Sequence, residues 1–439
     1  MSLPLVLELR PCPANTLNHP PRDAPLLRMT DHTFTVPLDH ADPAGATIEV
    51  FAREVVAPDQ DGTDLPWLLF LQGGPGGKSP RPPVGAGWLG HALKTHRVLL
   101  LDQRGTGRST PVTARTVNGM APASLAAYLE RFRADSIAAD AELIRGALTG
   151  GRPWDTLGQS YGGFVTLAYL SQAPQGLRTC YVTGGLPGLG TTADDVYART
   201  YPYMMERNAA YYQRYPGDVA VVRGLADHLD AHDVRLPDGD RLTSRRLRLL
   251  GNAFGMSDGF ERVHWMLEGA WHGASLADGF RYEVMAMTGF VDTPIFALQE
   301  YTFDQPGRAT GWAAERALAQ HPAFAADADP LLFTGEMMYR WMFEEINALR
   351  PFAAAADLLA AAGDRPPLYD HARLAANEVP VIAAVYSDDT YVPADLQLRT
   401  AEQVGNTRVW LTGEYQHDGL RVSDGRVLAR LMDMAAGRA

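Results

Sequence analysis

The chain changes its apolar pattern three times along its length. Residues 33–37 and 48–56, the second overlapping TIEVFAREV, alternate apolar and polar side chains, the period of half-buried antiparallel strands. WLLFLQ at 67–72 and RVLLLDQ at 97–103 are instead continuous apolar runs ending in turn residues. Strands buried on both faces read that way. Apolar positions three and four apart predict a helix from Ser124 to Leu148. Trp154–Gln159 then reads as a short strand, Gly162–Gln172 as a helix of small and apolar residues, and TCYVTGG (179–185) as another buried strand.

Strand–helix alternation stops there. From Gly190 to Arg373 the chain turns helical and rich in Met, Trp, Tyr and Phe, as in YPYMMERNAAYYQRY, FERVHWMLEGAW and TGEMMYRWMFEEI. The Ala-rich stretch from Phe352 to Gly363 fits a helix and a loop. The buried-strand pattern returns at VPVIAAVYSDD (379–389) and TRVWLTG (407–413), followed by a last helix over 424–436. The simplest architecture is α/β: a mostly parallel sheet flanked by helices and interrupted by a helical insertion. Its expected parts are a core over 1–189, a cap over 190–373 and the rest of the core over 374–439. Ligands on such sheets bind at the carboxyl ends of the strands, where an insertion acts as a lid.

Composition narrows the function. With 439 residues, 46% hydrophobic and 21% charged, the chain is an ordinary globular one with room for a large core. Its net charge of −12 is thinly spread, which argues against nucleic acid or an anionic membrane as partner. No window holds an uninterrupted membrane-length apolar run, and MSLPLVLELRPCPAN lacks the marks of a signal peptide. Cys12 and Cys180 are the only cysteines. They permit at most one disulfide and no metal knuckle, so a reducing cytoplasm is expected.

LGQSYGGF (157–164) carries a G-x-S-x-G spacing between a strand and a helix, the context of a nucleophile elbow at Ser160. Gly158 and Gly162 let strand and helix approach, and the helix N-terminus supplies free N–H groups to an oxyanion. A serine hydroxyl needs a base, and the base needs an orienting carboxylate. Asp388-Asp389 closes a late sheet strand, and His417 lies in TGEYQHDGLR after the last one. The order Ser160, Asp389, His417 is that of α/β-hydrolases. LQGGPGG (71–77), directly after a buried strand, offers the second wall of an oxyanion hole, with the N–H of Tyr161 as the first donor. DQRGTGRS (102–109) lacks the ending of a phosphate loop, so Asp102 and Arg104 read as a structural brace.

Together LQGGPGG, DQRGTGRS, GQSYGGF, TGGLPG, FTGEMMYRWMF and EYQHDGLR resemble the prolyl aminopeptidases, or proline iminopeptidases, in their longer-chain bacterial branch. The resemblance runs from Phe34 to Leu431. It implies an α/β-hydrolase fold and a serine peptidase that releases N-terminal proline from short peptides, without metal or organic cofactor. It implies Ser160 as nucleophile, His417 as base and Asp389 as orienting acid, since the family's acid stands four residues before a proline, here Pro393; Asp388 stays a rival. Gly73, Gly74 and Tyr161 match the oxyanion-hole region. Gln72 departs from the usual histidine, and YSDD from the usual Gly-Arg-Tyr-Asp. The family holds the substrate ammonium with cap glutamates, which points to Glu336 and Glu300, with Glu344 and Glu345 in reserve. Two other functions remain open at this stage. One is an esterase or amidase with the same triad and dispensable glutamates; the other is a binding protein without turnover.

Overall fold

The computed structural model describes residues 10–11, 27–81 and 87–438. Cys12 and the sequence before Arg10 therefore lie outside the described residues. Among the described residues, nine strands form one sheet: β1 (Arg10–Pro11), β2 (Arg28–Pro37), β3 (Thr47–Val56), β4 (Trp67–Leu71), β5 (Arg97–Leu101), β6 (Trp154–Gln159), β7 (Leu177–Thr183), β10 (Val381–Tyr386) and β11 (Thr407–Thr412). A small separate hairpin, β8 (Trp271–His272) with β9 (Ser275–Leu276), belongs to the cap. The sheet order is β1-β2-β3-β5-β4-β6-β7-β10-β11. β1, β2 and β3 run antiparallel to their neighbours, and all pairings from β5 to β11 are parallel.

The alternation in the sequence has its counterpart in this layout. β4 (WLLFL) and β10 (VIAAVY) are buried along their whole length, because helices cover both faces of the sheet. Helices Ala134–Thr149 and Tyr161–Gln172 pack on one face with Ile137, Ile144, Val165 and Leu167. Gly87–Ala92 and Arg426–Ala435 cover the other with Leu89, Val427 and Leu431. β11 is the edge strand and leaves Leu411 exposed. Because β4, β6, β10 and β11 are parallel, the loops that follow them emerge at one edge of the sheet. Those loops carry Gly73–Gly74, Ser160, Asp389 and His417.

Between β7 and β10 the chain builds helices, the longest being Ala193–Arg214, Asp218–Ala231, Gly259–Glu268 and Asp278–Thr288. Thr192 starts the first with a capping box: its hydroxyl accepts the Asp195 N–H, and the Asp195 carboxylate accepts the Thr192 N–H. The cap's apolar cluster is continuous with Val112, Val117, Leu125, Leu129 and Phe132 from the segment after β5.

Two elements differ from the sequence expectation. The helix expected over 124–148 is divided into Pro122–Leu129, a short turn at Glu130–Phe132, and Ala134–Thr149, with Arg133 extended at φ −85° and ψ 173°. A buried guanidinium explains the break. Arg104 Nη1 donates to the Arg131 carbonyl at 2.7 Å, a carbonyl that an unbroken helix would use internally. FTGEMMYRWMF is not a helix either; only Met342–Glu345 is helical, and residues 333–339 are irregular. Gly335 there presses on Met204 of the long helix, where a Cβ would sit 2.7 Å from Met204 Cγ.

Candidate active site

Strand β6 ends at Gln159 and the helix begins at Tyr161, so Ser160 makes the whole turn. Its backbone sits at φ 53° and ψ −123°, a left-handed conformation costly for a residue with a Cβ. Two bonds hold it: the Ser160 N–H donates to Thr183 O at 3.0 Å, and Ser160 O accepts from the Gly163 N–H at 2.8 Å. The flanking glycines are sterically required. A Cβ on Gly158 would lie 2.5 Å from Gly162 O, and one on Gly162 would run into Leu71 O. This strained turn between strand and helix is the geometry of a nucleophile elbow.

The loop after β4 comes down on the same turn. A Cβ on Gly73 would meet Ser160 Cβ at 2.8 Å, and Gly74 has φ 130°, open in practice only to glycine. Tyr161, as first residue of its helix, has an N–H outside the intrahelical ladder. Gly74 and Tyr161 line one cavity with Ser160, while Gly73 supports the serine from beside it.

Asp389 and His417 meet directly, His417 Nδ1 lying 2.7 Å from Asp389 Oδ2. Asp389 Oδ1 accepts the N–H groups of Tyr391 at 2.9 Å and Val392 at 3.0 Å, so both oxygens of this fully buried carboxylate are satisfied. That arrangement fixes the imidazole tautomer with Nε2 free to accept a proton. Burial by itself would lower the His417 pKa. The charge and hydrogen bond of Asp389, then the charges of Glu336 and Asp418, outweigh it and leave the imidazole above its ordinary value. Among the described residues no hydrogen bond joins Ser160 Oγ to His417; such bonds are often loose before substrate binds. Asp388 is exposed and its carboxylate meets only the Ser387 hydroxyl at 3.3 Å.

A partly open cavity lies above Ser160. Phe164, Phe303, Tyr391 and Val392 supply apolar wall, and Gln299, Asp304 and Glu336 supply its polar groups. Burial among these side chains pushes the Glu336 carboxyl up to about 8; His417 draws it back down, Asp389 pushes it up, and the Gln299 amide favours its ionised form. Glu300 takes a different place from the one expected. Its Oε2 accepts the Ala313 N–H at 3.0 Å and its Oε1 the Ala314 N–H at 2.9 Å, capping helix Ala313–Leu318 away from this cavity. Glu345 pairs with Arg245 and Thr243, and Glu344 with Arg340 on the surface.

Two cavity residues have no counterpart in the sequence reading. Gln299 precedes Glu300 in a 3₁₀ turn, where successive side chains diverge by roughly 120°, so one faces the cavity and the other the helix end. Asp304 lines the cavity with Oδ1 held by the Leu368 N–H at 2.7 Å, and burial raises its pKa. Neither has a local pattern that marks it. The brace residues also separate: Asp102 binds Arg81 and the Ser79 and Arg108 N–H groups, whereas Arg104 is buried against Asp140 and the Pro37, Leu38 and Arg131 carbonyls. Both networks tie the loop after β5 to its neighbours.

No group of three or more potential metal ligands, and no helix long and apolar enough to cross a membrane, occurs among the described residues. A family model for the alpha/beta hydrolase fold matches residues 66–269. A proline iminopeptidase of Aeromonas sobria is 47% identical over 403 residues, covering 91% of this chain and 95% of its own. One of Aspergillus aculeatus is 32% identical over 451 residues, covering 99% of this chain and 100% of its own.

Proposed function

This chain belongs to the proline iminopeptidase family of α/β hydrolases, and from that premise we propose that it is a serine aminopeptidase removing N-terminal proline from short peptides. The observation that carries the reading is the joint lining of one cavity by Ser160, at a strained elbow, and Glu336, a cap acid that meets no cationic side chain among the described ion pairs. An esterase has no use for an acid there, since a half-buried carboxylate without a cationic partner is costly to keep. A substrate ammonium supplies the missing charge.

The reaction follows from the geometry. The cap cavity takes the N-terminal residue with its ammonium against Glu336 and its ring against the apolar wall. Ser160 Oγ attacks the first carbonyl carbon as its proton passes to His417 Nε2, and Asp389 stabilises the imidazolium. The N–H groups of Tyr161 and Gly74 receive the oxyanion. The C–N bond then breaks, with His417 returning the proton to the departing amine. Water attacks the acyl carbon by the same route and frees proline and Ser160. The residues at the site supply base, acid and electrophile without metal or organic cofactor. Sparing use of cysteine, two in 439 residues, supports a cytoplasmic location.

Incubation with a Pro-Gly-Gly tripeptide, followed by mass spectrometry, tests the reading. Release of free proline, blocked when a fluorophosphonate labels Ser160, is the expected result. An intact tripeptide alongside efficient labelling would mean a serine hydrolase of another specificity.

A further inference from the structure

The carboxamide of Gln299 stands beside the proposed ammonium site. Gln299 is 3% exposed, lines the cavity with Ser160 and Glu336, and lies close enough to Glu336 to favour its ionised form. Its backbone carbonyl is occupied by the Thr302 hydroxyl at 2.7 Å. Among the described residues, no hydrogen bond of ordinary length engages its side-chain amide. A buried carboxamide carries two donors and an acceptor and rarely goes unused. Glu300, the alternative second acceptor, is committed to the Ala313 and Ala314 N–H groups.

We infer that Gln299 is a specificity-determining residue, its Oε1 accepting one N–H of the substrate's prolyl ammonium while Glu336 accepts the other. The inference rests on the aminopeptidase reading and deepens it. The chemistry is a matter of counting. The ammonium of an N-terminal proline is secondary and has two N–H bonds; that of any other residue is primary and has three. One carboxylate and one amide oxygen, converging on one side of an apolar cavity, satisfy a secondary ammonium completely. A primary ammonium brings a third N–H that this pair of acceptors does not match, and a buried donor without a partner is penalised.

Steady-state kinetics of the full-length enzyme on proline- and alanine-β-naphthylamide test this, using Gln299→Met and Gln299→Glu. Methionine keeps the volume and removes the acceptor; glutamate keeps the acceptor. Gln299→Met is expected to lower kcat/KM for the prolyl substrate about 10- to 100-fold, mainly through KM, and to shrink its preference over alanine. Gln299→Glu keeps an acceptor oxygen but loses the amide donor beside Glu336, so its loss of prolyl kcat/KM is expected to be clearly smaller than that of Gln299→Met. Equal losses in both variants, or an unchanged proline-to-alanine ratio in Gln299→Met, would overturn the inference by making Gln299 a packing residue. The wild-type enzyme on N-acetylprolyl-β-naphthylamide separates the two claims: if it cleaves that substrate as fast as the free amine, the aminopeptidase reading itself fails.

Discussion

At the residue scale, Glu336 and His417 are coupled. Each ionised carboxylate facing the imidazole raises its pKa, and Glu336 is one of them. The general base acts when neutral, so the acid limb of kcat/KM should lie above the ordinary histidine range. Glu336→Gln should reduce kcat/KM for prolyl substrates by about 10² or more and remove the ionisation near pH 8 from the profile. A pH–rate profile checks both. The same substitution has a stability consequence of definite sign. The folded-state pKa of Glu336 is raised to about 8, so its stabilising share is complete below the unfolded value and is lost as pH rises through 8. Glu336→Gln should therefore raise the melting temperature relative to wild type at pH 9, with a smaller difference at pH 5. For the triad acid, Asp389→Asn should lower kcat by about 10⁴-fold by favouring the wrong tautomer. Asp388→Asn, on an exposed side chain, should stay within about threefold of wild type, because surface changes of this kind are nearly neutral. Sequence order and position after the last strands point to Ser160, Asp389 and His417, and the fold brings Asp389 and His417 within 2.7 Å of each other. Glu300 and Gln299 could not be told apart that way, since adjacent residues in a 3₁₀ turn face different neighbours and only the fold says which neighbour is the cavity.

At the element scale, the elbow and the start of the cap carry the local demands. Gly162→Ala drives a methyl group into Leu71 O, so it should destabilise the protein by about 1–3 kcal/mol or more, read as a lower urea midpoint. Thr192→Ala removes the capping box of helix Ala193–Arg214 and should cost about 1 kcal/mol by the same measurement. The buried strands were legible because β4, β5 and β10 are unbroken apolar runs between turn residues. Helix boundaries set by distant partners were not. The break at Arg133 depends on a guanidinium 29 positions earlier in the chain, and the irregular course of residues 333–339 depends on contact with Met204. An apolar 3.6-residue rhythm is silent about both.

At the scale of the molecule, the parallel strands bring four separated loops to one edge, and the insertion lies over them. The expected division at 190 and 373 rests on the sequence's change of character alone, and the apolar cluster of the expected cap includes Val112, Leu125 and Phe132 from outside it. Cap and core should accordingly melt together, in a single calorimetric transition; two resolved transitions would show that the shared cluster does not couple them. On this reading the cavity recognises a free prolyl amine. Hydrolysis of proline-β-naphthylamide beside its N-acetylated form, by wild type, Ser160→Ala and Glu336→Gln, tests it most directly. The account predicts turnover of the free amine alone, none with Ser160→Ala, and crippled turnover with Glu336→Gln. Equal cleavage of both substrates, undisturbed by Glu336→Gln, would contradict it.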